Sequence, residues 1–157
     1  MDQVGKARKE PVAVIAVVDA SVALKWQFED EEITESATAL LRDFVERRVE
    51  LITPTLFAYE IINAINTAIN RKRIGEEAGH RAIIYLTSLG IEFRSFEDLI
   101  GPTFYMARQY SLSPYDCAYM ALAEKEKCDF LTGDKKLSNA VKNRLPWVRW
   151  IGDYSSP

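Results

Sequence analysis

The chain has 157 residues, 48% of them apolar, with a formal net charge of −3 and two cysteines. That length and apolar content suit one domain with its own core and leave no room for a second. The slight negative charge gives no general pull on nucleic acid, so a polyanion has to be held by local basic groups or by metal.

Residues 1–11, M-D-Q-V-G-K-A-R-K-E-P, are expected to form a flexible basic tail. They are too polar for a signal-peptide core, and no apolar run approaches the roughly 20 residues of a membrane span. A cytoplasmic protein with no membrane partner is expected, with one domain over residues 12–153. It opens on V-I-A-V-V, starting at Val14, a run of short, mostly β-branched residues that reads as a strand buried on both faces. Asp19 closes it, at the edge where open α/β sheets bind ligands.

Ser21 then reads as the N-cap of a short helix carrying Val22, Leu24 and Trp26. From Glu31 to about Arg48, apolar residues recur at helical spacing. A brief strand over Glu50–Thr53 follows, and Pro54 fits the first turn of a helix running to Arg73 with Gly75 as its stop. Glu60 lies in the second turn of that helix. A further helix spans Glu76–Leu89, ended by Gly90, and Ile91–Arg94 is a short strand. Glu97–Tyr110 reads as helical with a break at Gly101-Pro102.

Ser113-Pro114-Tyr115-Asp116 is the best-marked helix start: Ser at the N-cap, Pro at N1 and a carboxylate at N3. This helix is expected to reach Lys127. It would separate Cys117 from Cys128 by about 16 Å, so they cannot pair, and no zinc ligands accompany them. Asp129–Thr132 is a buried strand that Gly133-Asp134 ends. A helix through Leu137 and Val141 and an edge strand over Trp147–Ile151 complete the chain. Short apolar strands alternating with helices predict an α/β sandwich with a mainly parallel central sheet flanked by helices.

In that architecture Asp19 and Asp134 end neighbouring strands, and Asp116 and Glu60 sit in early helical turns at the same sheet edge. Four acids sharing a cleft repel one another unless a divalent cation binds them. Carboxylates without His or Cys suit hard ions, Mg²⁺ or Mn²⁺, and such ions promote in-line displacement at a phosphodiester. His80, the sole histidine, has no evident partner, which leaves no His base. Each acid also has a structural explanation: Asp116 as part of a capping box, Asp134 as a turn residue, Glu60 as a solvated side chain.

The segments V-V-D-A-S-V-A-L-K-W, P-T-L-F-A-Y-E-I-I-N-A, S-P-Y-D-C-A-Y-M-A-L-A-E and F-L-T-G-D-K-K-L resemble the successive motifs of PIN domains, most closely the ribonucleases of the VapC toxin type. The resemblance covers about Val14 to Gly152. It implies that Asp19, Glu60, Asp116 and Asp134 are metal-binding acids, that Ser21 and Thr132 are supporting hydroxyls, and that Asn63 supports from one turn past Glu60. It further implies a Mg²⁺- or Mn²⁺-dependent endoribonuclease, a homodimer, and a small antitoxin partner that blocks the site. Basic candidates for holding RNA are Lys25, Arg71, Lys72, Arg73, Lys135 and Lys136; Tyr115 and Trp26 could stack on a base. The competing classes are a phospho-accepting module, for which the acidic pair or D-x-D after the first strand is missing, and a catalytically silent RNA-binding relative.

Overall fold

The computed structural model describes residues 13–28 and 34–157. The basic leader and Glu31–Ile33 of the second predicted helix lie outside them. In chain order the elements are β1 (Val14–Val18), α1 (Ala20–Lys25), α2 (Thr34–Val45), β2 (Val49–Pro54), α3 (Leu56–Asn70) and α4 (Glu76–Thr87). Then come β3 (Glu92–Arg94), α5 (Ile100–Tyr110), α6 (Pro114–Glu126), β4 (Asp129–Thr132), α7 (Lys135–Val141) and β5 (Val148–Trp150).

The five strands form one sheet in the order β3-β2-β1-β4-β5. Every pairing is parallel, with Val17 opposite Ile52 on one side and Phe130 on the other. The apolar run thus becomes the central strand: Ala16, Val17 and Val18 are buried, and Leu51, Ile52, Phe130 and Leu131 flank them. Helices α2 and α3 pack against β2, α6 spans β2, β1 and β4, and α7 lies against β5. Chain direction across the sheet reverses between β1 and β4, which makes that crevice the topological switch point.

Helix α6 is buried without interruption from Cys117 to Ala123. Three of those residues are alanines, small enough for the helix to pack against the sheet and α5 together. Tyr119 stacks on Phe130 with ring centroids 5.5 Å apart. The helix is therefore held on all sides, and its first turn is delivered to the switch-point edge.

Several boundaries depart from the sequence reading for local reasons. Asp19, not Ser21, caps α1, its carboxylate accepting the Val22 N–H. Pro54 is the buried last residue of β2, where a missing N–H costs no further ladder bond. Helix α3 stops because Lys72 adopts a left-handed conformation (φ 57°), while Gly75 at φ −80° instead precedes α4. The break near Gly101-Pro102 falls earlier, where a 3₁₀ turn over Glu97–Leu99 meets α5; both residues sit in the first helical turn, which tolerates proline. Helix α6 ends at Glu126 with Lys127 left-handed, so Cys128 lies outside the helix; both cysteines are free thiols.

Away from the sheet edge, Asp43 of α2 is fully buried and anchors the chain after β5. It accepts hydrogen bonds from Arg48 Nε (2.9 Å) and from Tyr154 Oη (2.5 Å). Burial pushes its carboxyl up, but hydrogen bonds from Tyr154, Ser156 and Arg48 outweigh this and hold it below the ordinary carboxylate range. The resulting stabilisation is full above the unfolded pKa and is lost as pH falls through the folded one. Tyr154→Phe is expected to lower the unfolding free energy by about 1–2 kcal/mol at pH 7, with a smaller loss in acid, as read by urea denaturation at both pH values.

Candidate active site

Asp19 leaves β1 at the switch point and is 8% exposed. Four hydrogen bonds tie its surroundings across the crevice to the end of β4. Ser21 Oγ donates to Asp19 Oδ1 (2.5 Å) and accepts from Gly133 N–H (2.8 Å), while Thr132 Oγ1 donates to Asp19 Oδ2 (2.5 Å) and accepts from Asp134 N–H (3.0 Å). Position 133 must be glycine for this packing, because a Cβ there would lie 2.7 Å from Ser21 Oγ and 3.1 Å from Lys25 Cε. Ser21 and Thr132 thus meet Asp19 as hydroxyl partners.

The other acids gather at the same edge. Asp134 caps α7, with Oδ1 accepting the Leu137 N–H at 2.9 Å. Ser113 caps α6 by accepting the Tyr115 N–H (3.2 Å), yet Asp116 returns no hydrogen bond among the described residues, so no capping box consumes its carboxylate. Glu60, half-buried on α3, takes the Tyr119 hydroxyl at 2.5 Å. It lines a cleft of about 540 Å³ with Ser21, Leu56, Tyr59, Asn63 and Tyr115, which places exposed Asn63 beside it.

The electrostatics follow from this crowding. Burial pushes the Asp19 carboxyl up to about 6 despite hydrogen bonds from Ser21, Thr132 and Val22, and the charge of Asp116 adds to the rise. Burial likewise raises Glu60, with Asp19 and Asp116 adding repulsion, and raises Asp116, with Asp134 adding repulsion. All four acids are therefore one coupled field of like charge. The Cys117 thiol next to Asp116 is pushed up to about 11, chiefly by burial, and stays protonated.

Hydrogen bonds leave at least one lone pair of each acid open among the described residues: both Asp19 oxygens have donors but Oδ2 accepts only one, Glu60 Oε2 and Asp134 Oδ2 are unengaged, and both Asp116 oxygens are free. An all-oxygen set of this kind fits a hard divalent cation. No three of these groups close on a single point within ligating reach among the described residues.

Basic residues distribute unevenly around the edge. Lys25 is 8% exposed and packs by Gly133 in place of reaching into solvent. Lys135 and Lys136 open α7 directly after Asp134, both exposed. Arg71 and Lys72 lie past the far end of α3, about 16 Å along the axis from Glu60, and Arg73 stacks over Phe28 at 4.3 Å. Tyr115 is 67% exposed at the cleft, whereas Trp26 is spent inside, its Nε1–H donating to Ala37 O at 2.7 Å.

Two residues at the site are not among the candidates drawn from the sequence. Tyr119 orients Glu60 from 59 residues away, and Thr53 Oγ1 donates to Val18 O (2.9 Å), fixing the strand end just before Asp19. The i, i+3 spacing of Asp116 and Tyr119 on one helix is the only hint the sequence offers for the former.

The raised pKa of Asp19 carries a stability consequence. The unfolded carboxyl ionises near 4 and the folded one near 6, so folding stability falls as pH rises across that window, and the full penalty of about 3 kcal/mol applies above it. In EDTA, Asp19→Asn is expected to be about 2 kcal/mol more stable than the parent at pH 7.5, with the gap closing toward pH 4 in urea unfolding.

A family model described as the PIN domain matches residues 16–143. Ribonuclease VapC3 of Pyrobaculum aerophilum is 31% identical over 124 residues, 78% of this chain and 91% of the relative. Two solved structures share the fold. Mycobacterium tuberculosis VapC20, titled a sarcin-ricin loop cleaving toxin, has a TM-score of 0.59 at 18% identity, covering 80% of this chain and 94% of that one. VapBC2 from Rickettsia felis, bound to a DNA fragment from its promoter, has a TM-score of 0.61 at 12% identity, covering 87% and 97%. Domain match, sequence relatives and sheet order agree, and the chain belongs to the PIN domain family, in its VapC ribonuclease branch.

Proposed function

We propose that this protein is an endoribonuclease that hydrolyses RNA phosphodiester bonds with Mg²⁺ or Mn²⁺ and acts as the toxin of a type II toxin–antitoxin pair. The observation that carries the proposal is the set of four acids gathered at the switch point, each with a lone pair left open. Asp19, Glu60, Asp116 and Asp134 would hold the ion. When bound, such an ion supplies positive charge at the phosphate and activates water for in-line attack.

The protein's own groups prepare that chemistry. Thr132 and Ser21 fix the Asp19 carboxylate so that its remaining lone pair faces the crevice, and Tyr119 does the same for Glu60. Asn63 stands in the cleft wall as a neutral hydrogen-bonding group for substrate. Lys135 and Lys136 bring positive charge to a strand passing Asp134, which a chain of net charge −3 needs locally.

An antitoxin partner and a homodimer complete the proposal. Tyr59, Ile62, Phe104 and Tyr105 leave α3 and α5 with large exposed apolar side chains, Tyr59 at 74%, and protein partners cover surfaces of this kind. An Arg from the antitoxin is the complement expected for four acids. Among the described residues, no helix is long and apolar enough to cross a membrane.

Purified protein is expected to cleave single-stranded RNA with Mg²⁺ or Mn²⁺ and to stop in EDTA. Asp19→Asn and Asp116→Asn should each retain the fold by circular dichroism and lose roughly 10³-fold or more in cleavage rate. Unchanged cleavage in both variants removes the metal-site proposal. Expression should arrest growth, and a co-expressed antitoxin should relieve it; relief that never occurs with any neighbouring partner leaves the nuclease and removes the toxin.

A further inference from the structure

Beside the acid edge, a pocket of about 350 Å³ opens between α7 and β5, walled by Lys135, Ser138, Lys142, Arg149, Trp150 and Asp153. Three cations face one carboxylate there, in a chain whose overall charge is negative. The indole Nε1–H of Trp150 is buried and has no acceptor among the described residues. An indole nitrogen can only donate, and a buried donor left unmade is costly.

The neighbouring groups define what kind of acceptor. Lys135 Nζ sits 4.3 Å over the Trp150 ring, which orders both side chains. Arg149 spends one guanidinium nitrogen on Asp129 (2.8 Å) and shares another weakly with the Asp153 carbonyl (3.4 Å), leaving further N–H donors free. The Lys142 side chain makes no hydrogen bond or ion pair among the described residues. Ser138 is already committed to Val148 O at 3.2 Å. The pocket thus offers donors and positive charge, and a group that only accepts and carries negative charge completes it.

We propose that this pocket binds a backbone phosphate of the RNA strand whose scissile phosphate lies at the four acids. The assignment rests on the nuclease reading. Continuity supports it: Lys135 follows Asp134 directly, so the pocket wall begins one residue after the acid edge ends.

The test reads binding in EDTA, separately from cleavage. The chain has three tryptophans, so the indole N–H region of a ¹⁵N spectrum carries three signals, and Trp150→Phe identifies the one of interest. A short single-stranded RNA is expected to move the Trp150 signal. Lys142→Ala should weaken RNA binding about fivefold at 0.1 M salt and make the slope of log K against log salt shallower by about 0.7. Trp150→Ala should weaken binding without changing that slope, since it removes the uncharged ring that seats Lys135 and no charge. An unmoved indole signal on bound RNA, or an unchanged salt slope in Lys142→Ala, overturns the proposal. So does tighter occupation by inorganic phosphate or by an acidic peptide than by RNA, which would make the pocket a free-anion or protein-partner site. Failure of the parent protein to cleave RNA would instead strike the nuclease reading.

Discussion

The organisation of this molecule turns on two hydroxyl groups that clasp one carboxylate. Ser21 and Thr132 come from opposite sides of the crevice between β1 and β4, and both donate to Asp19. Each also accepts a backbone N–H from the turn after β4, so the same pair sets the path of Gly133 and Asp134. Side-chain chemistry and backbone course are therefore fixed together. Parallel pairing alone would bring the two strand ends near each other; the hydroxyls set how Asp19 presents its oxygens.

The enclosure has a thermodynamic cost. An ionised carboxylate that is almost wholly buried is destabilising, and its three hydrogen-bond donors recover only part of the loss, as the pKa near 6 records. Repulsion from Asp116 adds to it. Glu60 and Asp116 are likewise pushed upward. A protein that tolerates such a cluster keeps its acids poised to take up positive charge, since any cation that arrives relieves burial and repulsion together. The strain is local, because α6 carries Asp116 and Tyr119 on a helix buried on every side.

Much of this was legible in the chain. The apolar run before Asp19 could only be a central strand, and the S-P-Y-D start of α6 announced itself through its cap, its proline and its carboxylate. What misled were residues with two local uses. Ser21 resembles a cap, yet the strand ends early enough for Asp19 to cap α1 while Ser21 turns to serve Asp19. Gly75 resembles a helix stop, yet Lys72 takes the left-handed position first. Lys25 resembles a surface cation, yet the missing Cβ of Gly133 makes room to bury it. Tyr119 and Thr53 could not be foreseen, because their partners lie 59 and 35 residues away and no spacing rule reaches that far.

The bond from Thr132 to Asp19 joins positions 113 residues apart. A polypeptide emerging from the ribosome carries Asp19 early, but the strand that orders it is made late, after six helices and two further strands have already appeared. Until β4 slots in beside β1, the acids are scattered along an unfinished sheet. The site therefore exists only once the fourth strand has joined the sheet, and any chemistry it carries belongs to the completed fold.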